Sequence, residues 1–443
     1  MRMMVAMGRR ANILCVGERS ADMERLAIAI AGERDGVFFV TSERAGLGVV
    51  AENRPDLVIV AEYLRQGSRD SFTRLLNNGD GIAPTPVAWL CDPADADAYS
   101  SATSAGADEV FFGDEEEVML LARTRPLIRM SMLYEEMWRR FSLARRFGLE
   151  PETVVTPAVS EAEPKLLLLE TSEAESFGGD LTEGGLTHRV SDLAAAEQEL
   201  VSDAYDALLF DATDETQDWP GFCTRIRNNP RLFHLPIVAA TNGEKQFDMA
   251  LYRAGVTQVV FKYGDMEVWR FLSSKRARHF ALGQKLNRSL RQTMHDETVD
   301  PLTWTYSPAF LSSHLLAAVG TARAMRHPIS IIRVKIANYP EMAAEFSLPS
   351  LYHMTQQVAQ WITQLLRTED LVSRDLDDSF TIVLPNTPRH EAEIVRDRVL
   401  GILVNTDLAV YDVYRPVAVD LIAGIAHMED SDSADAMMER AAP

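Results

Sequence analysis

Arg367 and Asp370 stand three residues apart at the head of the run RTEDLVSRDLDDSFTIVL, residues 367–384. An arginine presents a planar fork of donors that fits a phosphate or a guanine edge, and a nearby carboxylate accepts from guanine nitrogens. The pattern Arg-x-x-Asp recurs at Arg19–Asp22, Arg189–Asp192 and Arg374–Asp377, so its setting must distinguish this copy. Leu371 and Val372, a polar turn from Asp375 to Ser379 and the apolar run Phe380 to Leu384 read as strand, tight turn and strand. Arg367 and Asp370 then lie at the mouth of the first strand. A purely structural reading also stands: the two residues cap a helix over Leu351–Leu366, the arginine compensating the helix dipole.

A second constellation is Asp211, Thr241 and Lys262. Each follows an apolar run, YDALLF, PIVAA and VVF respectively. All three fall at the carboxyl ends of predicted parallel strands, where sheets of that kind place their chemistry.

The elements that must hold these residues come as a repeat. Strands are predicted at Ala11–Val16, Val37–Val40, Leu57–Ala61, Val87–Leu90 and Val110–Phe112, with helices at Ala21–Ala31 and Ala45–Asn53. Strands recur with matching spacing at Lys165–Leu169, Ala207–Phe210, Ile237–Ala240 and Gln258–Phe261. Such alternation argues for parallel sheets with helices on both faces. Leu127–Leu149 and Trp269–Met294 read as long helices whose arginines form a basic outer face. Glu150 to Pro164, with three prolines and several acids, reads as a linker. Helix Pro308–Met325 and strand Ile329–Ile336 open a third region.

At 443 residues the chain is long enough for two to four domains. A net charge of −21 argues against non-specific binding to nucleic acid or to an anionic membrane surface. Cys15, Cys91 and Cys223, odd in number and far apart, suggest reduced thiols and a cytoplasmic protein. No apolar run approaches a membrane span, and Met7 is an alternative start.

Both repeats resemble the receiver domain of response regulators, a flavodoxin-like, CheY-like α/β fold. A receiver carries acids after its first strand, an aspartate ending the third, a hydroxyl ending the fourth and a lysine ending the fifth. In the first repeat these places hold Gly17 and Glu18, Ala61, Cys91 and Gly113, which implies a pseudo-receiver. In the second they hold Glu170 and Thr171, Asp211, Thr241 and Lys262. The resemblance therefore implies a phosphoacceptor at Asp211, with magnesium held by Glu170 and Asp211. The alternative is a remnant in which Asp211 and Lys262 form a structural ion pair.

The third region resembles the GGDEF domain of diguanylate cyclases, an α+β fold of the nucleotide-cyclase kind. Asp300, Pro301, Leu302 and Thr303 resemble its opening, and five residues separate Asp370 from the hairpin LDDSF, as in the family. The family's metal-binding aspartate maps to Lys335, its guanine contacts to Ala343 and Pro349, and its paired glycines to Leu376 and Asp377. Asp378 matches the second metal carboxylate and Ser379 replaces the next acid. These departures imply a degenerate cyclase with no catalytic residues, hence no enzyme. They also imply an ion pair between Lys335 and Asp378. The chain further reads as lacking the family's last strand. The regulatory site is retained: Arg367 and Asp370, with Arg398 and Arg374 as further candidates, and cyclic di-GMP as ligand.

Receiver, receiver and GGDEF, in that order, resemble the PleD-type response regulators. Domain bounds are expected at 1–148, 165–295 and 296–443, with a linker at 149–164. The resemblance implies a cyclic di-GMP effector at a cell pole, delivering cell-cycle regulators such as CtrA to the ClpXP protease, and a homodimer crosslinked by the ligand. A diguanylate cyclase, or a phosphorylation-driven regulator without nucleotide, are the rival readings.

Overall fold

Short runs that are apolar on both faces form the first two sheets of the computed structural model, which describes residues 11–32, 36–78, 85–95, 97–149, 164–171, 186–214, 216–229, 231–264 and 266–443. The predicted linker, Leu149 and Pro164 apart, and Met7 lie outside these residues. The first sheet comprises β1 (Ile13–Val16), β2 (Val37–Val40), β3 (Leu57–Val60), β4 (Val87–Cys91) and β5 (Glu109–Phe112), all parallel, in the order β2-β1-β3-β4-β5. The second comprises β6 (Lys165–Leu169), β7 (Leu186–Val190), β8 (Ala207–Asp211), β9 (Ile237–Thr241) and β10 (Gln258–Phe261), also parallel, in the order β10-β9-β8-β6-β7. Counted from its own first strand, each sheet has the flavodoxin-like order. Strand β7 is absent from the sequence reading because it is an edge strand, and Thr187, His188 and Arg189 interrupt its apolar character.

Gly17 follows β1 with φ of +129°, and a Cβ there would lie 2.5 Å from the Cβ of Ala61. The chain at this corner therefore admits glycine alone, so no acid fits there.

The chain divides into two compact units, residues 11–132 with 155–285 and residues 133–154 with 286–443. In the first unit the sheets share a buried charge cluster. Glu109 opens β5 and is fully buried; it accepts from Arg123 at 2.6 Å and pairs with Arg276. Arg123 also reaches Glu115 at 2.8 Å. Gln258 opens β10 at the place equivalent to Glu109, and its side-chain oxygen accepts from Arg276 at 3.2 Å. The predicted helix Trp269–Met294 runs Met266–Gln292, and its Arg276 is buried rather than exposed as expected.

The second unit holds an antiparallel sheet of β11 (Ile329–Ile336), β12 (Leu371–Leu376), β13 (Ser379–Pro385) and β14 (Leu421–His427), in the order β12-β13-β11-β14. Strand β14 was not read from the sequence; its run LIAGIAH is half-exposed and rich in small residues, so it lacks a strong strand signal. Alternate residues of β11 enter two cores. Ile332, Val334 and Ile336 join Met354, Val358 and Val399, while Ile329 and Ile331 join Phe310, Leu315 and Leu143. Helix Pro308–Met325 starts as predicted, with the Ser307 hydroxyl accepting from Phe310 N at 3.3 Å.

The predicted helix Leu127–Leu149 is instead Glu117–Ala144 followed by a short 3-10 turn at Arg145–Phe147. Of the arginines expected on its basic outer face, Arg145 and Arg146 are exposed, whereas Arg140 is only 3% exposed.

Candidate functional site

Helix Leu348–Gln364 ends before Arg367, so the Arg367–Asp370 turn is a separate device between that helix and β12. The turn is closed from both sides. Asp370 N donates to Arg367 O at 3.1 Å, and Arg367 N donates to the Asp370 carboxylate at 2.9 Å. Asp370 therefore serves its own turn and not the helix. The Arg367 guanidinium makes no ion pair and no hydrogen bond among the described residues. Helix capping thus leaves its fork unexplained.

Arg398 projects from helix Arg389–Val404 and donates through Nη2 to Leu365 O at 2.7 Å, while its Nε is buried without a partner among the described residues. Arg367 and Asp370 both act on its charge, so the three groups share one neighbourhood. Burial lowers the pKa of Arg398, and the like charge of Arg367 lowers it further. Burial pushes the Asp370 carboxyl up to about 7; Glu369 adds to the rise and Arg367 offsets part of it. Glu391 is raised by burial, with Arg367 opposing. A ligand bringing negative charge for the guanidiniums and N–H donors for the carboxylate would answer all three groups.

Arg374 does not join this group. It lies toward the hairpin end of β12, 3.5 Å from Asp300 and 3.1 Å from Asp377. Asp377, three residues on, is the nearer partner, and Asp300 joins it from a distant part of the sequence. The hairpin turn is Asp377–Asp378 alone, tighter than the predicted Asp375–Ser379, because β12 continues to Leu376 through a register shift after Arg374. Leu376 is 59% exposed and Asp377 is exposed beside it. Lys335 lies opposite Ser379, and its Nζ is 3.5 Å from Asp378 Oδ2.

On the second sheet, Asp211 ends β8, Thr241 ends β9 and Lys262 follows β10. Lys262 Nζ lies 2.8 Å from Asp211 Oδ2, and Thr213 donates to Asp211 Oδ1 from its backbone and hydroxyl at 3.0 and 2.7 Å. Thr241 accepts from Gly243 N at 3.2 Å. Glu170 is paired with Arg189 at 2.9 Å. On the first sheet, Cys91 Sγ accepts from Arg69 at 3.3 Å, and Arg69 lies over the Trp89 ring. Among the described residues no three His, Cys, Asp or Glu side chains gather to hold a metal ion, at Asp211 or at Asp378. A lysine also sits against each of these two aspartates. The residues as arranged do not fit magnesium.

Glu369, Glu391 and Arg140 were not singled out by sequence. Arg140 reaches the turn from 229 residues away, and local spacing carries no signal of that.

Residues 297–442 match the family model described as diguanylate cyclase, GGDEF domain. Over its length the chain is similar to Response regulator PleD of Caulobacter vibrioides, at 20% identity over 442 residues, covering 97% of this chain and 95% of that protein. The expectation that the chain is no enzyme is thereby overturned: a diguanylate cyclase domain in a PleD-like response regulator points to a diguanylate cyclase. Among solved structures, the FimX GGDEF domain of Pseudomonas aeruginosa is 22% identical with a TM-score of 0.31, covering 32% of this chain and 88% of that one. The GGDEF domain of DgcB from Caulobacter crescentus, solved in complex with c-di-GMP, is 17% identical with a TM-score of 0.32, covering 33% and 86%. No helix among the described residues is long and apolar enough to cross a membrane.

Proposed function

We propose that this chain works in cyclic di-GMP signalling as a PleD-like regulator, and that its GGDEF domain binds cyclic di-GMP through Arg367, Asp370 and Arg398. The carrying observation is the neighbourhood of two guanidiniums and a buried carboxylate in which the Arg367 fork has no partner among the described residues. Each cyclic di-GMP molecule brings two phosphates, which suit guanidinium forks, and two guanines, whose N1–H and N2–H groups suit a carboxylate. Calorimetry with cyclic di-GMP tests the site. The wild type should bind at micromolar concentration or tighter and Arg367→Gly should not; equal binding by both places the site elsewhere. GTP turnover is measured on the same protein. Turnover together with binding makes the site one of product feedback, and binding without turnover makes it a receptor site.

A second reading concerns Asp211, favoured by its contact with Lys262 at the carboxyl ends of β8 and β10. We propose that Asp211 accepts a phosphoryl group, with Thr241 and Lys262 beside it. Acetyl phosphate should add one phosphoryl group to the wild type and none to Asp211→Asn. An unmodified wild type, unchanged also by a beryllofluoride mimic, leaves the pair a structural one. The polar location and the delivery of substrates such as CtrA to the ClpXP protease extend the proposal to the cell. The half-life of such substrates in cells carrying Arg367→Gly tests that extension.

A further inference from the structure

The middle residues of the Arg367–Asp370 turn are held from behind. Arg140 donates through Nη2 to Glu369 O at 2.6 Å and through Nη1 to Thr368 O at 3.3 Å. Its Nε is clamped by Glu136 Oε1 at 2.6 Å, and His314 Nε2 lies 2.7 Å from the same oxygen. Arg139 takes the other oxygen of Glu136. Glu136, Arg140 and His314 are all buried. The Arg140 guanidinium also lies over the Tyr306 ring, 5.5 Å from its centre, and Tyr306 N donates to Val372 O at 2.8 Å. The arginine is thus fixed on three sides and aimed at two carbonyls.

Those carbonyls belong to the residues between Arg367 and Asp370, so their orientation decides where the two side chains point. A buried guanidinium on two backbone oxygens is a strong, directional tie. A lysine could keep the charge but not both bonds in one plane. Arg140 also acts electrostatically on Asp370, favouring the ionised form against burial and the charge of Glu369.

Resting on the dinucleotide reading above, we propose that Arg140 is a positioning residue for that site, setting the turn so that Arg367 and Asp370 meet the ligand together. It touches no ligand atom itself. Its role has two separable parts, the geometry of the turn and the charge beside Asp370. The other charged groups of this neighbourhood are Arg367, Glu369, Glu391 and Arg398, and all are unchanged in the Arg140 variants below.

The test is calorimetry with cyclic di-GMP on the full chain between pH 5.5 and 8.5, using the wild type, Arg367→Gly, Arg140→Met and Arg140→Lys. Arg140→Met should weaken binding by about 10- to 100-fold and move the midpoint of the pH dependence upward. Arg140→Lys should return the midpoint toward that of the wild type while leaving binding at neutral pH weakened. A role in stability alone would lower the melting temperature and leave both the affinity and the midpoint of the folded protein in place; that result overturns the proposal. Should Arg140→Met fail to fold, Arg140→Lys decides through affinity, and wild-type affinity in that variant overturns the proposal. A wild type that does not bind removes the site itself, and this role with it. Binding lost in Arg367→Gly but unchanged in both Arg140 variants removes the role alone.

Discussion

Two buried carboxylates, Glu109 and Asp370, live in opposite circumstances. Glu109 sits between Arg123 and Arg276, and burial, which would raise its pKa, is outweighed by the two guanidiniums, so it stays below the usual carboxylate range. Asp370 makes no ion pair among the described residues and accepts the N–H of its own turn, so burial prevails and carries it up to about 7. The first carboxylate is answered by the protein; the second is not. A cluster that answers its own charge holds structure, and one that does not is ready for something from outside.

The largest effect should come from breaking the answered cluster. Glu109→Ala leaves two buried guanidiniums without their shared partner and should lower stability by about 3–5 kcal/mol in urea unfolding. Cyclic di-GMP affinity of the remaining folded protein should not change. A loss of affinity there, with stability intact, would reverse the roles assigned to the two clusters.

Next comes Arg367→Ala, which should weaken cyclic di-GMP binding by about 100-fold or more in calorimetry. Its melting temperature should stay close to that of the wild type, because the side chain it removes makes no bond among the described residues. A large drop in melting temperature would mean that Arg367, too, is structural.

The pH dependence sharpens the contrast. An ionised carboxylate accepts on both oxygens, whereas a protonated one turns an O–H toward a pair of N–H donors. Wild-type affinity should therefore fall as pH drops below about 7, approaching tenfold per unit. Asp370→Asn should bind weakly and show no such slope. A flat wild-type profile from pH 5.5 to 8.5 would mean that Asp370 is not part of the recognition.

The smallest effect is on stability. The folded-state pKa of Asp370 is raised, so its contribution is fully present below the unfolded value of about 4 and is lost as pH rises through about 7. Asp370→Asn should consequently be more stable than the wild type at pH 8, by about 1–2 kcal/mol, and gain less at pH 5. Thermal melts at the two pH values check this, and a destabilised variant at pH 8 would show that the charge is answered after all.

Much of the fold was legible. Apolar runs such as ILCV in β1 and IVAA in β9 announce buried parallel strands, and the matching spacing of the two sheets shows in the repeat. Edge and half-exposed strands, β7 and β14, were not legible, because solvent on one side removes the demand for apolar residues. Arg367, Asp370 and Arg398 could be named from spacing, and the structure gathers them. Arg374, the weaker candidate by sequence, lies against Asp377 and Asp300 at the hairpin end of β12. Arg140 and Arg276 read as exposed helix charges because nothing local reveals that a helix face meets carbonyls or a carboxylate 229 and 167 residues away.

The two sheets share one topology, yet the first residue of β5 is an acid and the first residue of β10 is an amide. That single difference makes their association directional. With an amide in place of Glu109, Arg276 would meet neutral side chains alone and have no counterion. The first repeat supplies the carboxylate that the second lacks, so Arg276 finds its counterion only outside its own repeat.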